Sequence, residues 1–198
     1  MTIHQMRIPR LEVITGCMFA GKTRRLIEKT RSLEKAGKKV VVVKPVIDDR
    51  YNTTEIVSHD GMRQQTRTIP MEVQPIETIK GADALVVDEV QFFSKEVVDY
   101  LLATPTQQII MGGLDLDWKG NPFGQMPRIL CYADQVIKLH AVCAVCGASA
   151  NRTSLVALGE AHRGQTIVGG PEKYEPRCTE CFEDWMHNIG IGLFLSKE

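Results

Sequence analysis

The sequence predicts an α/β fold with a doubly wound parallel sheet, and two observations support this prediction. Residues 11–15 form a predicted strand, residues 22–36 a predicted helix that stops at Gly37, and residues 38–45 a second predicted strand. A strand, a helix and a strand within about 35 residues make a βαβ unit, whose two strands run parallel. The run 40–43 is also continuously apolar, as expected of a strand that is covered on both faces.

Further apolar runs extend the predicted sheet. Residues 84–87 and 108–111 are predicted buried strands, with a helix over residues 96–103 between them, and residues 135–139 are a fifth strand. Residues 45–75 are polar and show no clear period, so no element is predicted there.

A phosphate-binding loop follows the first predicted strand, where eight residues match G-x-x-x-x-G-K-[ST] without a mismatch. The two glycines let the backbone curl so that its N–H groups point at phosphate oxygens. Lys22 supplies a cation for the β- and γ-phosphates, and the Thr23 hydroxyl can ligate Mg²⁺. The alternative is a glycine-rich turn with a chance Lys-Thr pair, but strand, loop and helix occur in the required order. The predicted nucleotide triphosphate site comprises Gly16, Cys17, Met18, Phe19, Ala20, Gly21, Lys22 and Thr23.

Two neighbouring carboxylates, Asp88 and Glu89, close the predicted strand 84–87. After a phosphate loop, an Asp at the carboxyl end of a buried strand is where NTPases hold Mg²⁺. Two such acids can divide the work, because one serves the ion while the other takes a proton from a nucleophile. The alternative is a pair of strand-end acids that face water.

Four of the six cysteines form two C-x-x-C pairs. Each pair brings two sulfurs onto one turn, and two pairs supply the four ligands of a tetrahedral Zn²⁺ that is structural, since no coordination position stays open. The alternatives are two redox or disulfide pairs, or replacement of a ligand by His140 or His162. The predicted zinc ligands are Cys143, Cys146, Cys178 and Cys181.

Composition and charge narrow the class of protein. The 198 residues include 24 basic and 24 acidic side chains, which argues against a large non-specific nucleic-acid surface. The N-terminus has no apolar signal-peptide core and no apolar run is long enough to span a membrane. We therefore expect a cytoplasmic protein with neither a membrane nor a nucleic acid as partner.

Aromatic side chains follow the same strand ends as the acids. Phe92 and Phe93 come directly after the acid pair, and Trp118 and Phe123 flank a Gly-Asn-Pro loop. Core packing is the commoner use of such residues. These lie in sequence just after strands whose carboxyl ends line a nucleotide crevice, where a flat second substrate would bind.

Several of these motifs, taken in order, resemble one known family. The stretches ITGCMFAGKT, DEVQFF, GGLDLDWKGNPFG and CAVC…GGPEKYEPRCTEC are similar to those of the zinc-containing thymidine kinases of the cytosolic and bacterial type, from about Leu11 to Cys181. The resemblance implies a P-loop NTPase-like (RecA-like) sheet followed by a small zinc-binding lasso domain. Residues 140–182 are rich in Cys, Gly and short polar runs, which predicts a second module after Leu139. With the resemblance, the divisions are an ATP-binding domain (1–139), a zinc-ribbon or lasso domain that binds the nucleoside (140–182) and an unassigned tail (183–198).

The resemblance also implies a reaction and its setting. The family moves the γ-phosphate of ATP to the 5′-hydroxyl of thymidine or deoxyuridine, using Mg²⁺ in catalysis and Zn²⁺ in the structure. This reaction makes thymidine monophosphate in nucleotide salvage for DNA synthesis. A homotetramer and feedback inhibition by thymidine triphosphate are implied as well.

Carried over by position, the resemblance gives roles to single residues. Glu89 is the base that accepts the 5′-hydroxyl proton, Asp88 supports the metal, and Asp48 and Arg50 lie near the transferred phosphate. Thr153 lies beside the thymine methyl group. The other residues implied to surround the nucleoside are Met18, Phe92, Leu114, Trp118 and Phe123, with Ile167, Val168, Gly169, Gly170 and Tyr174 in a loop that grips the base.

The chain departs from the family pattern at three positions. Cys17 stands where relatives usually have Pro, Trp118 replaces the more usual Phe, and Leu155 occupies a position that is commonly basic. These departures bear on substrate preference and leave the phosphoryl chemistry as it is.

Two other functions are compatible with parts of the sequence. A nucleic-acid-dependent ATPase with a zinc ribbon would explain Asp88-Glu89-Val90-Gln91, which resembles the DExQ motif of helicases. A helicase needs a second motor domain of roughly 150 residues, for which there is no room after Leu139. A regulatory nucleotide-binding module without catalysis would leave Glu89 without a role.

Overall fold

The computed structural model describes residues 8–46, 54–58, 60–72, 79–156 and 172–190. In chain order the strands are β1 (Arg10–Gly16), β2 (Val40–Pro45), β3 (Glu55–Val57), β4 (Arg63–Gln65), β5 (Arg67–Ile69), β6 (Ala84–Val87), β7 (Gln108–Gly113), β8 (Gln135–Leu139), β9 (Ala141–Val142), β10 (Ser149–Ala150), β11 (Arg152–Leu155) and β12 (Tyr174–Arg177). The helices are α1 (Lys22–Lys35), α2 (Lys95–Leu102), α3 (Met126–Tyr132) and α4 (Thr179–Asn188), and a short 3-10 helix spans Val90–Phe92.

Six strands form one parallel sheet in the order β5-β2-β6-β7-β1-β8. This confirms the predicted parallel α/β fold, and each of the five predicted strands lies in this sheet. The sixth, β5, is three residues long and comes from the polar region in which no element was predicted.

Helices cover both faces of the sheet, as the continuous apolar runs require. On β2, Val41 and Val43 belong to the buried cluster that includes α2 and α3, whereas Val42 belongs to the cluster that includes α1. Because successive strand side chains point to opposite faces, a strand covered twice must be apolar at every position. On β6, Leu85 likewise belongs to the cluster that includes α2 and α3, and Val86 to the cluster that includes α1.

The carboxyl ends of three central strands lie at one edge of the sheet. In register, Thr15 of β1 lies beside Gly113 of β7, and Val87 of β6 lies beside Met111 of β7. The Thr15 hydroxyl also donates to the Gly113 carbonyl at 3.0 Å. The chain segments that follow β1, β6 and β7 therefore leave the sheet side by side. Ligands of open α/β sheets bind at this carboxyl edge.

A smaller unit follows β8. Strand β9 pairs antiparallel with β10, and β11 pairs antiparallel with β12, with Leu155 opposite Tyr174. The chain between the two C-x-x-C pairs therefore contains antiparallel strand pairs at both of its ends, and residues 157–171 lie outside the described residues. Helix α4 extends into the segment left without an assignment, and it buries Phe182, Trp185 and Met186.

Within the described residues, none of the helices combines the length and apolar character that crossing a membrane requires.

Candidate active site and metal centre

The predicted phosphate loop connects β1 to α1 through a tight turn. Gly16 has φ +138°, and a Cβ there would lie 2.2 Å from the carbonyl oxygen of Leu139 on β8, so this position admits only glycine. Gly21 and Phe19 also have positive φ, at +86° and +64°. These conformations curl the loop over the N-terminus of α1, whose free N–H groups and dipole favour an anion.

Lys22 lies inside this loop. Its Nζ donates to the Cys17 carbonyl at 2.7 Å, and the residue is 8% exposed. Burial lowers the pKa of Lys22, while the nearby carboxylate of Glu89, followed by Cys17 and Asp88, opposes that shift. A negatively charged phosphate in the loop would add to the groups that favour the ammonium.

The acid pair meets the phosphate loop through Thr23, whose Oγ1 donates to Oδ2 of Asp88 at 3.1 Å. Asp88 is 4% exposed, and burial raises its pKa to about 7. The charge of Glu89 adds to that rise, whereas bonds from the Glu89 N–H and Thr23 and the charge of Lys22 oppose it. The alternative of two acids that simply face water does not hold for Asp88.

Glu89 has an unusual backbone conformation, with φ +54° and ψ +40°. This left-handed conformation places it directly before the 3-10 helix, and its N–H donates to Oδ1 of Asp88 at 3.0 Å. Its carboxylate accepts a hydrogen bond of 2.6 Å from Nε2 of Gln91. Strained non-glycine residues of this kind concentrate at functional sites.

Gln91 belongs to the DExQ-like stretch and was not predicted to be a site residue. Besides the bond to Glu89, its Oε1 accepts the backbone N–H of Leu114 at 3.1 Å. The signal available in sequence was its spacing, two residues after Glu89. That spacing alone does not show which way an amide points.

The predicted nucleoside residues fall into two groups. Phe92 and Phe123 contact each other edge to face, with ring centroids 5.4 Å apart, and Leu114 follows β7 at the same sheet edge. Trp118 and Tyr174 lie instead in a buried cluster with residues of α4. The cluster's buried members are Trp118, Leu155, Tyr174, Phe182, Trp185 and Met186, with Met18 and Phe19 packed against it.

Two of the three family departures pack together. Trp118 is 3% exposed and Leu155 is 1% exposed, and both belong to that cluster. The Trp118 ring lies 6.4 Å from that of Trp185, edge to face. A basic side chain at position 155 would leave its charge buried in apolar surroundings, so Leu suits this packing.

The phosphate loop contacts the smaller unit directly. The Met18 N–H donates to Oγ1 of Thr153 on β11 at 3.0 Å, and the Cys17 thiol lies 3.4 Å from the Ala150 carbonyl, within hydrogen-bond distance for sulfur. Cys17 is buried, and burial raises its pKa. The third departure, Cys17, thus packs at the junction between the loop and the unit.

Six predicted site residues lie outside the described residues: Asp48, Arg50, Ile167, Val168, Gly169 and Gly170.

The four predicted zinc ligands come together in space. Their Sγ atoms all lie within 4.8 Å of one another, and Sγ of Cys146 is 3.7 Å from Sγ of Cys178. Tetrahedral zinc with Zn–S bonds of about 2.3 Å places its sulfurs about 3.8 Å apart. All four are free thiols, and the cluster found among the described residues contains these cysteines alone. The four cysteines form one cluster that could hold zinc, rather than two separate pairs.

Comparison with known proteins decides the family. The family model for thymidine kinase matches residues 9–182, which is most of the chain. The chain belongs to the thymidine kinase family. It is 41% identical to a thymidine kinase of Coprothermobacter proteolyticus over 194 residues, covering 95% of this chain and 96% of the relative. It is 39% identical to a thymidine kinase of a Rhodothermus species over 175 residues, covering 87% of this chain and 81% of that relative.

Membership of the thymidine kinase family agrees with the geometry. The match includes the phosphate loop, the acid pair and all four clustered cysteines. It confirms the resemblance drawn from the four motifs, and it makes ATP the expected phosphate donor, since the family is one of kinases.

The cysteine cluster generates the first prediction. Cys178→Ser removes one of four ligands, so zinc content should fall from about one ion per chain to near zero. Cys131→Ser is the matched control, because Cys131 is exposed and lies outside the cluster. Metal analysis of both purified proteins by mass spectrometry measures the difference. A full zinc complement in the Cys178→Ser protein would contradict four-cysteine ligation.

Proposed function

We propose that the chain transfers the γ-phosphate of ATP to the 5′-hydroxyl of thymidine or deoxyuridine, as a salvage enzyme that supplies thymidine monophosphate for DNA synthesis. The observation that carries the proposal is a continuous set of contacts from the phosphate loop to the nucleoside side. Thr23 bonds to Asp88, Glu89 follows, and Gln91 joins the Glu89 carboxylate to Leu114. These contacts support a donor site and an acceptor site that meet at one acid pair.

The donor side of the proposal uses the phosphate loop, Gly16 to Thr23. Loop N–H groups and the Lys22 ammonium would hold the β- and γ-phosphates and stabilise charge as it moves toward the leaving ADP. Because phosphoryl transfer requires little covalent chemistry from the protein, such positioning and charge stabilisation supply most of the catalysis.

A magnesium ion belongs to the proposal, and the local donors fit it. The Thr23 hydroxyl and the Asp88 carboxylate are hard oxygen ligands 3.1 Å apart at the edge of the loop. Burial that raises the pKa of Asp88 marks a carboxylate whose charge a cation would stabilise. When bound, the ion neutralises charge on the phosphates.

Glu89 is the proposed general base. The 5′-oxygen forms a bond to the γ-phosphorus while the bond to the β,γ-bridging oxygen breaks, and the hydroxyl proton passes to the Glu89 carboxylate. Its position next to Asp88, which is bonded to the loop, supports this role. General base catalysis contributes typically about 10² to 10⁴ in rate.

The acceptor side combines both parts of the chain. Phe92, Phe123 and Leu114 would contact the nucleoside from the sheet edge, and Thr153 would lie beside the thymine methyl group with Met18 adjacent. The resemblance adds Asp48 and Arg50 near the transferred phosphate. It also adds Trp118 and the base-gripping segment of Ile167, Val168, Gly169, Gly170 and Tyr174.

Zinc on the four cysteines would be structural, since it holds the two ends of the base-gripping segment within residues 140–182, while residues 1–139 bind ATP. The resemblance supports a cytoplasmic homotetramer inhibited by thymidine triphosphate, with neither nucleic acid nor membrane as partner.

A phosphate-transfer assay tests the function. With ATP and Mg²⁺, the zinc-loaded protein is expected to release ADP in the presence of thymidine and deoxyuridine, and to form the nucleoside monophosphate in equal amount. Adenosine and guanosine serve as control nucleosides. ATP hydrolysis that depends on single-stranded DNA and ignores thymidine would contradict the proposal and favour a nucleic-acid-dependent ATPase.

Replacing the base separates binding from turnover. Glu89→Gln keeps the side-chain size and removes the proton acceptor, so kcat should fall by about 10² to 10⁴ while ATP binding is retained. Glu96→Gln, on the exposed side of α2, is the control and should leave kcat unchanged. Steady-state rates and binding of a fluorescent ATP analogue measure the two effects. An unchanged kcat in Glu89→Gln would remove Glu89 from its role.

A further inference from the structure

We infer that Gln91 is a positioning residue that holds the Glu89 carboxylate in place and ties it to the nucleoside side of the site. This inference rests on the proposed function, because it assumes that Glu89 acts on the acceptor hydroxyl. It concerns a buried amide that none of the roles carried over from the family includes.

The orientation of the Gln91 amide is fixed by its two partners. The backbone N–H of Leu114 can only donate, so the amide oxygen must face it, and the distance is 3.1 Å. The amide nitrogen then faces Glu89 and donates to its Oε2 at 2.6 Å. The Gln91 side chain thus accepts a hydrogen bond from the Leu114 backbone and donates one to the Glu89 carboxylate.

Packing holds Gln91 in this orientation. The residue is 2% exposed. A Cβ at Gly113 would lie 2.6 Å from its Oε1, and a Cβ at Gly124 would lie 2.2 Å from its carbonyl oxygen. Gly113 therefore leaves room for the Gln91 amide and Gly124 for the Gln91 backbone, and a buried side chain packed this closely has few other rotamers available.

The carboxylate that Gln91 holds belongs to a strained residue. Glu89 has φ +54°, a conformation that persists only where its surroundings enforce it. The Glu89 N–H bonds to Asp88 at one end, and the carboxylate bonds to Gln91 at the other. The bond from Gln91 fixes the plane of the carboxylate, whose remaining lone pairs can receive the 5′-hydroxyl proton.

The bond to Leu114 connects this arrangement to the acceptor site. Leu114 directly follows β7, and Phe92, next to Gln91 in the chain, stacks edge to face on Phe123. A nucleoside that packs against Leu114 and Phe92 would therefore contact the same segments that orient the Glu89 carboxylate. Gln91 would fix the distance between the Glu89 carboxylate and the acceptor hydroxyl. ATP would bind to the phosphate loop independently of Gln91.

The first test separates turnover from ATP binding. Gln91→Met removes both hydrogen bonds at similar volume, and kcat should fall about 10- to 100-fold, because a small misplacement of a reacting group has costs of that order. The KM for ATP should change less than about twofold. Gln91→Glu keeps an acceptor for Leu114 but places a second carboxylate against Glu89, so its kcat should fall at least as far.

A control checks for a merely structural effect. Thr104→Val removes a buried hydroxyl that bonds to the Tyr100 carbonyl at 3.1 Å at the end of α2, away from the site. It should lower the melting temperature by an amount similar to Gln91→Met and leave kcat unchanged. If Gln91→Met does not fold at the assay temperature, Gln91→Glu supplies the kinetic comparison in its place.

A double-mutant cycle with Glu89→Gln decides the inference. If Gln91 acts through Glu89, then adding Gln91→Met to Glu89→Gln should lower kcat by less than about twofold. A further loss of 10- to 100-fold, or an unchanged kcat in the single Gln91 variants, would overturn it. Failure of the proposed function is distinguishable, because the wild-type protein would then make no nucleoside monophosphate.

Discussion

The contact between the phosphate loop and the smaller unit is the constraint on which the rest of the site depends. The Met18 N–H donates to Thr153 and the Cys17 thiol lies within hydrogen-bond distance of the Ala150 carbonyl, while Cys17 is buried in one cluster with Ala150, Cys143 and Cys178. A single hydrogen bond contributes only about 1 kcal/mol net. Structural zinc in small domains contributes about 10–16 kcal/mol. The metal centre, rather than the two bonds, would therefore give the unit the rigidity with which it docks on the loop.

Charge balance at the sheet edge is the second organising feature. Burial lowers the pKa of Lys22 and raises that of Asp88, because keeping either side chain charged in a buried position costs free energy. The Lys22 ammonium bonds to the Cys17 carbonyl, and Asp88 accepts from Thr23 and from the Glu89 N–H. These bonds offset part of the cost, and a nucleotide with its cation would offset more. The site is thus suited to a charged ligand, and the burial of these two charges lowers the folding stability of the protein without one.

Features that depend on local pattern could be predicted from the sequence, and those that depend on tertiary contact could not. Apolar runs predicted the strands, motif spacing predicted the loop and the cysteine cluster, and position at the end of a buried strand predicted the acid pair. Helix α3 is short and contains Pro127, and β3, β4 and β5 are three residues each, so none has a readable period. The orientation of the Gln91 amide and the shared packing of Trp118 with Leu155 appear only once distant segments are brought together.

The central claim is that the triphosphate site and the nucleoside site meet at Glu89, and a crystal structure of the zinc-loaded chain with thymidine and a non-hydrolysable ATP analogue tests it most directly. The 5′-oxygen is expected to lie within hydrogen-bond distance of the Glu89 carboxylate and about 3–3.5 Å from the γ-phosphorus. A thymidine bound elsewhere, or one whose 5′-oxygen points away from Glu89 while the analogue fills the phosphate loop, would contradict the account.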